Sequence, residues 1–295
     1  MANIIETVEL TKNYGNITAV DHINMHIEKG VVYGLIGKNG AGKTTALKMI
    51  AGLANPTEGR VTFPLGKPRI GTLIENPGLY PNMSALDNLE VRRIALGVGS
   101  RQDSERLLNF VGLSNWMNVK PSGFSLGMKQ RLGIAMALTG DPDLLILDEP
   151  INGLDPGGIA DVRKMIKSIV AEGNKTIIIS SHILEELSKT ASVFGVLNEG
   201  RLTAEITQEE LSSSAVGYIK FMLDDVPLAI EVLEKMGIYS YQRKGDYLLH
   251  VLEQLDRASD MVREFVMNGI TVSSMEVVHE SLEDFYIGNT RGSES

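Results

Sequence analysis

The stretch GKNGAGKTT, Gly37 to Thr45, constrains this chain most. It lies between the apolar run VVYGLIG (Val31 to Gly37) and TALKMIAGLANP, whose apolar residues keep helical spacing until Pro56. It fits G-x-x-x-x-G-K-[ST], and its flanks give the strand, loop, helix order that a phosphate-binding loop requires. Without Cβ atoms, Gly37, Gly40 and Gly42 let the backbone turn tightly and aim N–H groups at phosphate oxygens, with the helix N-terminus adding its positive end. Gly37, Lys38, Asn39, Gly40, Ala41, Gly42, Lys43, Thr44 and Thr45 form the expected cradle. Lys43 is placed to reach the β- and γ-phosphates of a nucleoside triphosphate, and the Thr44 hydroxyl to ligate Mg²⁺.

A loop of this kind needs a parallel sheet, and the chain supplies one. Buried strands are expected in LLILDEP (Leu144 to Pro150), KTIIISSH (Lys175 to His182) and SVFGVLNEGR, with helical patterns between them. LLILDEP delivers Asp148 and Glu149 at a strand's carboxyl end, the usual ligand edge of such a sheet. Asp148 is expected to hold Mg²⁺, directly or through water. Glu149 projects from the other side of the strand and can act as general base toward a water. Residues 76–138 read as a helical insert, including SALDNLEVRRIALG and RQDSERLLNFVGL.

After Leu211 the texture changes. VGYIKFML, YLLHVLEQ and ITVSSMEVV read as strands, PLAIEVLEKMG and ASDMVREFVMNG as helices, and NTRGSES as a loose tail. The expectation is an α/β domain over 1–212 and a smaller α+β accessory domain over 213–295. The chain has no cysteine, which suits a reducing compartment, and its net charge of −9 argues against binding nucleic acid through phosphate neutralisation. Its apolar runs are too short to span a bilayer, so a cytoplasmic chain is expected, neither membrane-spanning nor secreted.

FSLGMKQRLGIAMAL, Phe124 to Leu138, adds a third motif. With the two phosphate motifs it makes the chain resemble an ATP-binding cassette (ABC) subunit of a membrane transporter, over about Ile4 to Leu211. The family signature usually reads LSGGQ; here Ser125, Leu126, Gly127 and Met128 occupy it, with the serine and one glycine kept. Ser125 at a helix N-cap, beside free N–H groups, makes an anion site. The resemblance implies that this site closes over the γ-phosphate of ATP held by another subunit. It also makes Tyr14 the aromatic that stacks on adenine, and Asn152, Gly153, Leu154 and Asp155 the loop that touches that subunit. His182 would be the switch histidine that contacts the γ-phosphate, whereas His22, His26, His250 and His279 read as structural.

In the family, the junction between strand and helical insert carries a glutamine that contacts Mg²⁺ and the attacking water and links the ATP site to the transmembrane partner. IGTLIENPGLYPNMSALDNL matches that junction, but the position is Glu75. A carboxylate there removes a donor and adds a possible charge beside the triphosphate. The glutamate, the SLGMKQRL signature and the SLEDFYIGNT tail are similar to lantibiotic-immunity and bacitracin-resistance cassettes. The resemblance implies an ATPase with ATP and Mg²⁺ as cofactors, acting as a homodimer or with a similar ATPase subunit. Separate permease subunits would hold it at the cytoplasmic face of the membrane. The alternatives are a nucleotide-gated clamp and a soluble ABC-type ATPase acting on nucleic acid or ribosomes.

Overall fold

The computed structural model describes residues 2–173, 175–213, 217–278, 282 and 285–287; the NTRGSES tail lies outside them. Two compact units result. The first runs to Gln208 and takes in Tyr286, and the second is Glu209–Phe285. The sequence reading placed everything after 212 in the accessory domain, whereas Tyr286 groups with the first unit.

The first unit opens with an antiparallel sheet of β1 (Asn3–Tyr14), β2 (Ile17–Ile23), β3 (His26–Glu28) and β5 (Glu58–Thr62), in which β1 pairs with each of the others. The sequence reading assigned no strand before Val31. Register shifts in all three pairings give β1 a burial pattern without alternation, so the period-2 signal is blurred.

The second sheet carries the site. Its order is β10 (Arg201–Thr207), β9 (Val193–Asn198), β4 (Val32–Ile36), β8 (Thr176–Ser181), β7 (Leu144–Asp148) and β6 (Ile70–Leu73). All neighbours are parallel except β9 and β10, which form a hairpin through Glu199 and Gly200, both at positive φ. SVFGVLNEGR therefore ends one strand and begins the next. β4, β7 and β8 are buried at every residue, which explains their near-continuous apolar sequences. The helix α1 (Lys43–Ile50) contributes Ala46, Leu47, Met49 and Ile50 to a core shared with Ile5, Leu10 and Ile27 of the first sheet and Leu35, Ile146 and Ile178 of the second.

The insert contains α2 (Ala85–Leu96), α3 (Arg101–Phe110) and α4 (Leu126–Leu138). A capping box between Ser84 and Asp87 starts α2, and Gly97 in the left-handed region ends it. The helices α5 (Pro156–Gly173) and α6 (Leu184–Ser188) follow β7 and β8, and the boundary between the units falls within the first turn of α7 (Gln208–Ser213). No helix among the described residues is long and apolar enough to cross a membrane.

The second unit runs β11 (Tyr218–Leu223), α8 (Val226–Lys235), β12 (Tyr241–Arg243), β13 (Leu248–Val251), α9 (Ala258–Met267) and β14 (Val272–Val278). The sheet order β12-β13-β11-β14, antiparallel throughout, is the split βαββαβ arrangement. Its core includes Phe221 and Phe265, edge to face with centroids 5.1 Å apart. The three-residue β12 was absent from the sequence reading, being too short to display a period.

Candidate functional site

Parallel register brings the motif residues to one edge. Asp148 at the end of β7 lies level with Ser180 of β8, Ile36 of β4 lies level with Ser181, and Leu73 of β6 lies level with Leu147. The phosphate loop, the Asp148–Glu149 pair, His182 and Glu75 thus leave neighbouring strands at their carboxyl ends.

Two loop glycines are required by what they touch. A Cβ on Gly37 would lie 2.5 Å from the Leu197 carbonyl oxygen, and one on Gly42 would lie 2.3 Å from that of Ala19. Gly42 also has φ 103° as the N-cap of α1, a conformation that L residues avoid. Lys43 is buried, and its Nζ donates to the Gly37 carbonyl at 2.7 Å and the Lys38 carbonyl at 3.2 Å.

The Lys43 ammonium also lies 3.2 Å from Oε1 of Glu149, whose Oε2 is 2.8 Å from Nδ1 of His182. Glu149 therefore stands between a lysine and a histidine. It holds a left-handed φ of 48°, a strain that non-glycine residues sustain where surrounding structure enforces it. The enforcing group is Ser180, whose Oγ accepts the Glu149 N–H at 2.9 Å and donates to Oδ1 of Asp148 at 2.6 Å. Thr44 Oγ1 donates to the other carboxylate oxygen, Oδ2, at 2.7 Å.

Thr44 and Asp148 are hard oxygen donors that converge beside the loop. Two such oxygens suit Mg²⁺, which is commonly held by one or two protein oxygens together with substrate phosphates.

Glu75, two residues beyond β6, has φ 63° and a largely exposed carboxylate. Its Oε1 accepts from Nζ of Lys48 on α1 at 2.5 Å. This hydrogen bond is the main reason that the Lys48 ammonium is held above its ordinary range. Tyr14 ends β1 half-exposed, with the Lys12 ammonium 5.1 Å from its ring centroid.

Ser125 is the N-cap of α4, its Oγ accepting the Met128 N–H at 3.3 Å. Ser125, Leu126 and Gly127 line a cavity of about 500 Å³ with Gly153, Leu154 and Asp155, and no phosphate-loop residue lines it. The signature residues and the loop at 153–155 are thus brought together at one cavity that the phosphate loop does not line. Asn152 links them back, donating its N–H to the Glu149 carbonyl at 3.1 Å.

Sequence reasoning overlooked Ser180 and Lys48. A buried polar residue at the end of an otherwise apolar strand was the available signal for Ser180. Lys48, four residues after Thr44, lies on the same helical face.

A family model described as ABC transporter matches residues 20–152, and one described as AAA domain, putative AbiEii toxin, Type IV TA system, matches 117–188. The chain is 40% identical over 297 residues to a bacitracin transport ATP-binding protein, BcrA, of Bacillus licheniformis, covering 97% of each. It is 47% identical over 209 residues to a lantibiotic transport ATP-binding protein, SrtF, of Streptococcus pyogenes, covering 68% of this chain and 90% of that one. Among solved structures, a dimeric ATP-binding cassette in a post-hydrolysis state, bound to ADP and Pi, superposes with a TM-score of 0.64 at 26% identity, covering 69% of this chain and 98% of that one. With strand order, phosphate loop and strand-end carboxylates in place, the chain belongs to the ABC transporter family, as an ATP-binding subunit whose hydrolysis of ATP is coupled to transport.

Proposed function

We propose that the chain powers expulsion of a peptide antibiotic of the bacitracin or lantibiotic class, working as a homodimer on separate permease subunits at the cytoplasmic face of the membrane. Relatives named for bacitracin and lantibiotic transport support the substrate class. Residues 1–212 together with Tyr286 act as the cassette, and the rest of 213–295 as an accessory domain. Each protomer binds one ATP, with adenine on Tyr14 and phosphates in the Gly37–Thr45 loop, and Ser125 to Met128 of the other protomer complete the site. Asn152 to Asp155 carry contacts across the dimer.

The observation that carries the catalytic reading is the Glu149 carboxylate between Lys43 and His182. Glu149 accepts a proton from the attacking water, and Lys43 and His182 face the charge that develops on the γ-phosphate. Mg²⁺, held by Thr44 and Asp148 with Glu75 at the margin, would neutralise charge on the β- and γ-phosphates when bound. Glu75 transmits nucleotide state toward the permease.

The test compares wild type with Glu149→Gln and Ser125→Arg. Wild type should hydrolyse ATP, Glu149→Gln should hold ATP and sediment as a dimer, and Ser125→Arg should remain monomeric with ATP. A monomeric Glu149→Gln at saturating ATP would sink the sandwich. Unchanged resistance of cells to bacitracin and lantibiotics, with permease subunits co-expressed, would sink the substrate assignment.

A further inference from the structure

Tyr286 follows the second unit in sequence yet groups with the first, and it is only 9% exposed. It lines a cavity of about 270 Å³ together with Ile36, Gly37, Lys38, Asn39, His182 and Leu184. Those residues are the end of β4, the opening limb of the phosphate loop, the histidine that meets Glu149, and the first residue of α6. One side chain from near the end of the sequence thus borders both parts of the hydrolytic site.

The position matters because the loop is rich in glycine. Glycine-rich backbone is costly to order, and Gly37 is backed on one side by the Leu197 carbonyl, into which any Cβ would run. Tyr286 supplies a buried aromatic wall at the same limb. Burial pushes its phenol above the ordinary range.

We propose that Tyr286 is a positioning residue of the ATPase site: it buttresses the Gly37–Asn39 limb and walls in His182, making hydrolysis depend on the carboxyl-terminal segment. The proposal rests on the reading of the phosphate loop and His182 given above.

The test uses the full chain with Tyr286→Ala, Tyr286→Phe and, alongside, His182→Ala. A wall that positions the reacting groups predicts that Tyr286→Ala lowers kcat about tenfold. KM for ATP should change by less than about threefold, because the remaining loop amides still bind phosphate. Tyr286→Phe, which keeps the ring, should restore most of the rate. A Tyr286→Ala protein with wild-type kcat would overturn the proposal. So would one that loses ATP binding and cooperative unfolding together, since that is a structural role. His182→Ala reports on the underlying site reading: if it hydrolyses ATP at the wild-type rate, that reading fails whatever Tyr286 does.

The chain has no cysteine, so Tyr286→Cys creates a single thiol and gives an independent readout. Its reaction with a maleimide should be slow and should change rate on adding ATP. A fast reaction indifferent to ATP would overturn the proposal.

Discussion

The Lys48 ammonium and the Glu75 carboxylate are 2.5 Å apart, which ties the helix behind the phosphate loop to the strand end that leads into the helical insert. A glutamate here carries a charge that a glutamine would not, and Lys48 balances it. The side chains are 31% and 61% exposed. An ion pair so exposed adds on the order of 0–1 kcal/mol. Lys48→Met should therefore leave thermal unfolding nearly unchanged while lowering permease-coupled transport. A melting loss of many degrees would show that the pair is structural.

Glu149→Gln should lower single-turnover hydrolysis by about 10²–10⁴-fold, the range for removing a general base. ATP affinity should be kept. Rapid-quench measurement with radiolabelled ATP checks both.

Ser180→Ala should be nearly as instructive. It removes one hydroxyl that serves both Asp148 and the strained Glu149 backbone. Leaving a buried carboxylate oxygen without its donor costs about 1–3 kcal/mol. The expected result is a lower urea midpoint and a fall in kcat larger than any rise in KM, read from denaturation and steady-state kinetics.

Gly42→Ala should abolish nucleotide binding. The added methyl meets the Ala19 carbonyl at 2.3 Å, on a backbone at φ 103°. Holding a non-glycine residue in such a region costs about 1–3 kcal/mol before the clash is counted. Equilibrium titration with a fluorescent ATP analogue would detect the loss.

The second unit should lose stability on acidification. His250 stacks on Tyr218 with centroids 4.2 Å apart, and burial, then the charges of Lys244 and Lys220, hold it below its ordinary value of about 6.5. The native state thus resists a proton that the unfolded chain takes up, and stability present above about 6.5 is lost as pH falls toward the lowered native value. Pulse proteolysis across residues 217–278 at two pH values should show the loss in wild type and a smaller one in His250→Phe.

Legibility tracked how local each signal was. GKNGAGKTT, LLILDEP and the N-cap Ser125 are contiguous motifs, and each occupies the expected element. The amino-terminal sheet was not legible, because bulges in β1 disrupt its alternation and its partner β3 has only three residues. Glu75 was found as a departure within a familiar junction, but its partner Lys48 lies on another element and no local pattern pairs them.

The sequence by itself determined the family, the phosphate loop and the strand-end carboxylates, since these depend on residue types at fixed spacing along one strand, loop or helix. Tertiary structure alone decided that Ser180 ties Asp148 to Glu149, that Lys48 takes Glu75, and that Tyr286 returns to the phosphate loop. Those contacts join segments far apart in the chain, and strand order and register, rather than local spacing, bring them within hydrogen-bonding or packing distance.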